Sequence, residues 1–207
     1  MALVYLVRHG QASFGADDYD VLSPAGHLQG KIVGDELRRR GVRPDQVWSG
    51  TLSRQRETAV AAGFGAPGED ARWNEFDHIG LVREFGAAQQ DARDPRAFQI
   101  ALDAALRDWT GGDGFRAFSG NVNAALDELL AGLGKGGTAL VFTSGGVIGA
   151  VCTRLLGLDG AGFVAVNRVS VNAGITKIVS GRSGTSLVSY NDHAHFEGEH
   201  RELLTYR

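Results

Sequence analysis

The residues from Ala2 to Gly10 read Ala-Leu-Val-Tyr-Leu-Val-Arg-His-Gly, an apolar run that stops at an arginine, a histidine and a glycine. An apolar run without alternation is typical of a strand covered on both faces, as in a parallel sheet between helices. Ligands of such sheets bind at the carboxyl ends of the strands. A permanent cation beside an imidazole suits an oxyanion ligand and a nitrogen nucleophile. This stretch therefore predicts an α/β fold with a phosphate site at the end of its first strand.

Two later segments repeat the order of strand, polar turn and helix. An expected strand over 42–48 is followed by Ser49, Gly50 and Thr51 and by a helix to about Gly63. A second buried strand over 138–143 is followed by a glycine-containing turn and an apolar helix. The functional loops are therefore expected after the strands that end near Val7, Trp48 and Thr143.

The remaining segments complete the predicted architecture. Ser23 and Pro24 favour a helix start, because serine caps helices and proline fits the first turn. Helices are expected over 24–40, 95–109 and 115–133, an extended segment over 71–76, and an edge hairpin of strands 175–179 and 186–190. We predict one domain over residues 1–207, an α/β three-layer sandwich with a mostly parallel central sheet and helices on both faces.

Composition narrows the classes of function. The 207 residues are 43% hydrophobic and carry a net charge of -3, so the basic surface of a nucleic-acid binder is not expected. The apolar start is seven residues long, whereas a membrane span needs about 20, so no membrane partner is expected. The only cysteine, Cys152, excludes a disulfide framework and favours a reducing compartment, so we expect a cytoplasmic protein.

A second arginine, Arg54, stands in the sequence Leu52-Ser53-Arg54-Gln55-Arg56-Glu57-Thr58, at the start of the helix after the second strand. An Arg-His-Gly after the first strand together with this Leu-x-Arg-x-x-x-Thr resembles the histidine phosphatase superfamily, also called phosphoglycerate mutase-like. The similarity continues in four further segments and covers nearly the whole chain. These segments are residues 22–29, 74–75, 172–176 and 191–195.

The resemblance implies a role for several residues. His9 would attack phosphorus and become a phosphohistidine, while Arg8 and Arg54 would hold the phosphoryl oxygens. Two planar guanidiniums stabilise those oxygens without a metal, so neither a metal nor another cofactor is expected. The carbonyl of Gly10 could hold the proton on the second imidazole nitrogen.

The candidate general acid lies at or near the end of the extended segment expected over 71–76. Glu75 matches the family position, and burial beside Trp73 and Phe76 would raise the pKa of its carboxyl group. Asp77, two residues later, is the alternative acid. Further candidate phosphate-binding positions are Gln11, in the loop after the nucleophile, and Gly145, in the turn after the strand over 138–143.

The chain departs from the family at Ser144, which stands where the superfamily has a second histidine. A neutral hydroxyl is a weaker donor than an imidazolium, so we expect Ser144 to leave a slowed or re-tuned enzyme. His78 is the candidate that would compensate for the loss. His193 and His195 share one face if their segment is extended, but further ligands with metal spacing are lacking, and packing of the tail is the expected role.

The predicted function is that of a metal-independent, histidine acid phosphatase-type phosphomonoesterase acting on a small phosphorylated molecule. The alternative is a catalytically weak or inactive regulatory protein that binds a phosphorylated ligand. A mutase is less favoured, because the expected helical lid over 76–118 is charge-balanced rather than basic. An oligomer is compatible with the sequence.

Overall fold

The central sheet of the protein has six strands. The computed structural model describes residues 1–13, 20–85 and 95–206. The strands are β1 (Ala2–Arg8), β2 (Gln46–Ser49), β3 (Gly68–Glu69), β4 (Thr138–Thr143), β5 (Ile175–Gly181) and β6 (Gly184–Asp192). Their order in the sheet is β3-β2-β4-β1-β5-β6. The first four in this order run parallel, and β5 is antiparallel to both β1 and β6, so the mostly parallel sheet is confirmed.

The helices cover both faces of this sheet. They are α1 (Pro24–Arg39), α2 (Ser53–Ala61), α3 (His78–Phe85), α4 (Pro95–Trp109), α5 (Asp113–Gly132), α6 (Gly145–Leu156) and α7 (Gly160–Arg168). One buried cluster joins Val4 and Val141 of the sheet to α4, α5, α6 and α7. The other joins Tyr5 and Phe142 to α1 and α2. Neighbouring residues of β1 and β4 thus point to opposite layers, which confirms the three-layer sandwich.

The register of the sheet brings the candidate loops to one edge. Arg8 at the end of β1 pairs with Thr143 at the end of β4. Ser49 at the end of β2 pairs with Phe142, the residue before Thr143 in β4. The three strands are parallel and end at the same level. The segments that follow them therefore meet at the carboxyl ends of these strands.

Several element predictions are confirmed. Ser23 caps α1, with its side chain accepting from the amide of Gly26. The helix over 95–109 and the strand over 138–143 have the expected bounds. Strands β5 and β6 form the expected hairpin at the sheet edge.

The extended segment expected over 71–76 is wrong. Its first half is a 3-10 turn, Ala71–Trp73, because the side chain of Asp70 accepts from the amide of Arg72 and starts the turn. Helix α7 was not predicted. It begins where Asp159 accepts from the amide of Gly162, and its small residues hid the helical pattern.

Two predicted regions are described only in part. Residues 14–19 of the first loop and residues 86–94 of the expected lid lie outside the described residues. The described part of the lid contains α3, α4 and the first residues of α5, and it buries Leu102, Leu106 and Trp109 in the core. None of the described helices combines the length and apolarity that crossing a membrane requires.

Candidate active site

The backbone around His9 is fixed from three sides at the end of β1. The amide of His9 donates to the carbonyl of Thr143 at 2.8 Å, and the amide of Gly10 donates to Oγ1 of Thr58 at 3.0 Å. Nδ2 of Asn172 donates to the carbonyl of His9 at 3.2 Å. The nucleophile candidate is thereby tied to β4, to α2 and to the segment before β5.

The imidazole of His9 is held in one tautomer. Its Nδ1 lies 2.7 Å from the carbonyl oxygen of Gly10, and because a carbonyl only accepts, Nδ1 carries the hydrogen. Its Nε2 accepts from Nε of Arg54 at 3.2 Å, so the lone pair is on Nε2. The expected contact with the Gly10 carbonyl is therefore present, and the nitrogen with the lone pair faces the second arginine.

The environment keeps this imidazole neutral. The side chain is buried, and the pKa of His9 lies well below its usual value, first because of burial and then because of the charges of Arg54 and Arg8. The bond to the Gly10 carbonyl opposes this shift, and His78 adds a smaller lowering. A neutral imidazole keeps its lone pair, which is the state that a nucleophile requires.

Helix α2 supplies Arg54 and its support. Arg54 and Thr58 are one turn apart on the buried face of the helix. Oγ1 of Thr58 donates to the carbonyl of Arg54 at 2.6 Å while it accepts from Gly10. Nη1 of Arg54 donates to Asp20 at 2.6 Å, and the other oxygen of Asp20 accepts from the amide of Ser53 at 2.7 Å.

The guanidinium of Arg8 is anchored from the far end of the chain. Its Nη1 donates to the backbone carbonyls of Ser170 and of Tyr206, the latter at 2.9 Å. A methyl group built on Gly145 would lie 3.6 Å from Nε of Arg8, so the turn after β4 passes close beside this side chain. Arg8 and Gly145, two candidate phosphate-binding positions, are thus neighbours.

Glu75 lies against the start of α6. Its Oε2 accepts from the amide of Gly146 at 3.1 Å, and its Oε1 accepts from the amide of Phe76 at 3.2 Å. The pKa of Glu75 is raised by burial, whereas the Gly146 amide and the charges of Arg54 and Arg8 oppose the rise. The two arginines therefore act on Glu75 and on His9 alike, which places both groups in one electrostatic cluster.

The alternative acid has a different position. Asp77 is exposed, and its Oδ1 accepts from the amide of Gly80 at 2.8 Å, in the first turn of α3. His78, the first residue of α3, is partly exposed, and its charge contributes to the lowered pKa of His9. The geometry thus brings Glu75 to the arginines and leaves Asp77 at a helix start.

Ser144 has no exposed surface. Although it immediately precedes α6, its side chain does not cap the helix and instead accepts from Nε2 of Gln55 at 2.8 Å. Gln11 also forms hydrogen bonds within the protein. Its side-chain Oε1 accepts from Oγ of Ser23 at 2.9 Å, and its backbone amide donates to Oε1 of Gln29 at 2.7 Å.

The histidines of the tail bind backbone carbonyls. Nδ1 of His193 lies 2.6 Å from the carbonyl oxygen of Asn191, and Nε2 of His195 lies 3.1 Å from that of Ala173. Within residues 1–13, 20–85 and 95–206, no three His, Cys, Asp or Glu side chains are grouped so that they could hold a metal ion.

Three further residues contribute to this site without a recognisable signal in the sequence. Asp20, Gln55 and Asn172 all bond a predicted site residue or its backbone. Asp20 and Gln55 are ordinary polar residues in the sequence, and only the fold brings them to the strand ends. Asn172 belongs to a segment, residues 172–176, that resembles the family, but the resemblance assigned it no function in the site.

Comparisons with known proteins identify the family and the fold. The model of the histidine phosphatase superfamily (branch 1) matches residues 4–193. YhfR of Bacillus stearothermophilus has a similar structure, with a TM-score of 0.70 and 17% identity over 95% of this chain and 100% of its own. No curated protein sequence matches the chain significantly.

Two further solved structures are phosphatases by their descriptions. A mycobacterial glucosyl-3-phosphoglycerate phosphatase with inorganic phosphate has a TM-score of 0.67 and 23% identity, over 93% of this chain and 98% of its own. A mutant phosphoserine phosphatase from Entamoeba histolytica in complex with phosphoserine has a TM-score of 0.62 and 17% identity, over 94% and 99%. At these identities the similarity shows the fold.

Proposed function

We propose that this chain, which belongs to branch 1 of the histidine phosphatase superfamily, hydrolyses phosphomonoesters of small molecules through a phosphohistidine on His9. The observation that carries the proposal is the neutral His9 imidazole, with its lone pair on Nε2, facing Arg54. The phosphatases among the structural neighbours support the same class of reaction. In type the enzyme is a histidine acid phosphatase.

In the first step Nε2 of His9 attacks phosphorus, and the bond between phosphorus and the ester oxygen breaks. The guanidinium of Arg54 turns from Nε2 to the phosphoryl oxygens, and Arg8 binds them from the other side. Two cations stabilise the charge that spreads over these oxygens in the transition state, so the step requires no metal. The protonated carboxyl group of Glu75 gives its hydrogen to the leaving alkoxide.

In the second step the Glu75 carboxylate removes a proton from water, whose oxygen attacks the phosphorus of phosphohistidine. The bond between phosphorus and nitrogen breaks, inorganic phosphate leaves, and His9 regains its lone pair. Glu75 is again protonated and ready for the next ester. The cycle therefore uses one water molecule for each ester hydrolysed and leaves both residues unchanged.

Two opposed pKa shifts define the pH range of this reaction. The lowered pKa of His9 keeps the imidazole unprotonated at pH values below its usual value of 6.5. The raised pKa of Glu75 keeps its carboxyl group protonated above its usual value of 4.5. Turnover should therefore be highest on the acidic side of neutrality, with loss on the acid side as His9 protonates and on the basic side as Glu75 ionises.

A second candidate function follows from Ser144. Its hydroxyl is buried against Gln55, so the turn after β4 brings no charged side chain to the phosphate. A protein that binds a phosphorylated ligand tightly and turns it over slowly or not at all would have this arrangement. Such a protein would regulate through binding, with Arg8 and Arg54 as the ligand contacts.

One experiment separates the two candidates. The protein is incubated with p-nitrophenyl phosphate labelled in the phosphoryl group, quenched, and analysed for turnover and for acid-labile phosphate on His9. The catalytic proposal predicts both signals in the wild type, their loss in His9→Asn and their retention in the control His200→Asn, an exposed tail residue. Without label or turnover, a rise in melting temperature on adding vanadate would favour the binding protein.

A further inference from the structure

Gln55 connects three segments of the site. It follows Arg54 in the first turn of α2 and is fully buried. Its Nε2 donates to the carbonyl of Trp73 at 2.9 Å and to Oγ of Ser144 at 2.8 Å. One amide group thus links the arginine helix, the loop that carries Glu75 and the turn that follows β4.

The direction of these hydrogen bonds is fixed. The carbonyl of Trp73 only accepts, so the amide nitrogen of Gln55 must face it, and both hydrogens of that nitrogen are used. The hydroxyl of Thr143 donates to the same carbonyl at 2.7 Å. Two donors therefore hold the backbone two residues before Glu75, one from α2 and the other from the end of β4.

The space around this group is full. Gln55 and Ser144 both have no exposed surface. A methyl group built on Gly50 would lie within 3.0 Å of Oε1 of Gln55, which has no hydrogen-bond partner among the described residues. Burying an acceptor without a donor costs stability, so the position of this side chain is maintained against a local penalty.

We propose that Gln55 is a positioning residue that fills the space beside Ser144, where the resemblance to the superfamily would place a histidine, and that it holds the Glu75 loop against the turn after β4. The inference rests on the proposed function, because the Glu75 loop matters only if Glu75 acts on a substrate. An imidazole at position 144 would have to enter the space that the amide of Gln55 occupies. Ser144→His alone should therefore fail to improve the enzyme, whereas Ser144→His with Gln55→Ala should accommodate the ring.

A double-mutant cycle tests the claim about space. Wild type, Ser144→His, Gln55→Ala and the double variant are compared by thermal unfolding. Overpacking should lower the melting temperature of Ser144→His by on the order of 5 °C, and in the Gln55→Ala background the same change should cost less than about 2 °C. Gln29→Ala is the matched control, because Gln29 is also fully buried but bonds Gln11 and the tail instead. Its effect should add to that of Ser144→His.

The kinetics of the same variants test the positioning role. Gln55→Ala and the isosteric Gln55→Glu, which cannot donate to the Trp73 carbonyl, should each lower kcat about tenfold while KM changes less than about threefold. The basic limb of the pH profile of Gln55→Ala, which adds no charge, should move to lower pH, because a loosened loop exposes Glu75 to water and removes the burial that raises its pKa. A purely structural residue would change stability and leave that limb in place. The double variant should exceed Gln55→Ala in kcat by about tenfold.

The outcomes separate this inference from the proposed function. If no variant and no wild-type sample gives turnover or label, the proposed function fails, and the melting temperatures still decide the claim about space. A Ser144→His variant that melts like the wild type, or that gains activity with Gln55 in place, would overturn the inference. So would a Gln55→Ala variant with an unmoved pH profile in an active enzyme.

Discussion

Strands β1 and β4 lie side by side, run parallel and end at the same level, yet the segments that follow them contribute different chemistry. The end of β1 supplies Arg8 and His9, whose side chains belong to the charged cluster. The turn after β4 supplies a buried hydroxyl and two glycines, and it meets the cluster through the amide of Gly146 on Glu75 and the close approach of Gly145 to Arg8. The same position in a sheet can therefore serve a site through side chains or through the backbone.

Both segments depend on the lack of a side chain, but for different reasons. A methyl group on Gly10 would lie within 3.0 Å of the carbonyl oxygen of Gly26 in α1, so this glycine allows a helix to approach the strand end. A methyl group on Gly146 would lie within 3.0 Å of Oε1 of Glu75 and of the ring of Phe76. The first glycine is needed for packing, and the second makes room for the acid.

The largest effect is expected from Glu75→Gln. This variant tests the proposed general acid, which the turn after β4 binds through the amide of Gly146. The amide cannot give a proton, so kcat for an alkyl phosphate should fall about 10²–10⁴-fold, and the basic limb of the pH profile should disappear. An aryl phosphate, whose leaving group needs less protonation, should lose less. Steady-state kinetics of both esters measure the difference. If Asp77→Asn causes this loss instead, Asp77 is the acid. The turn after β4 would then not bind the general acid through the amide of Gly146.

Arg54→Lys tests the arginine that contacts His9 at the end of β1. Lysine keeps the charge but loses the planar pair of donors that contacts His9 and Asp20, so kcat should fall about 10²–10³-fold. Arg56→Lys, two residues later on the same helix and partly exposed, is the matched control and should change kcat less than about twofold. Equal losses in the two variants would mean that α2 acts through overall charge rather than through Arg54.

The two glycines should separate stability from activity. Gly10→Ala pushes the strand end against the backbone of α1 and should cost about 1–3 kcal/mol of unfolding free energy. Gly146→Ala meets the carboxyl group of Glu75 as well as the buried ring of Phe76, so it should add a loss of kcat to a comparable loss of stability. Denaturant unfolding and kinetics of both variants give the two numbers. The division into a packing glycine and an active-site glycine would be wrong if both variants lost stability and activity in equal proportion.

An effect on stability without an expected effect on activity concerns His195, in the tail of the chain. Burial lowers the pKa of His195 to about 4, below the value of about 6.5 expected in the unfolded chain. The unfolded state therefore binds more protons between these values, and stability should fall by about 1–3 kcal/mol as the pH drops from 6.5 to 4. His195→Gln should flatten this slope in unfolding experiments. His200→Gln, on an exposed residue, should leave it unchanged.

Much of the fold and the charged half of the site could be predicted from sequence, because their signals are local. The apolar run of β1, the cap at Ser23 and the strand over 138–143 each lie within a few residues. His9 and its contact with the Gly10 carbonyl are one residue apart. Arg54 and Thr58 share a face by helical spacing alone.

The rest of the site depends on contacts between distant segments. Gln55 meets Ser144 across 89 positions, and Asp20 meets Arg54 across 34. Neither residue has a local pattern that distinguishes it from a surface amide or carboxylate. The extended segment expected over 71–76 failed for a different and local reason. The side chain of Asp70 accepts from the amide of Arg72 and starts a 3-10 turn, which outweighed the apolar character of Trp73.

The anchoring of Arg8 has a consequence for how the protein becomes active. Its guanidinium is held by carbonyls that lie 162 and 198 positions later in the chain. Such contacts form late in folding, because closing long loops costs entropy that only a nearly complete structure repays. The phosphate-binding geometry should thus be among the last features acquired, and refolding chains should recover helical circular dichroism before they recover affinity for phosphate.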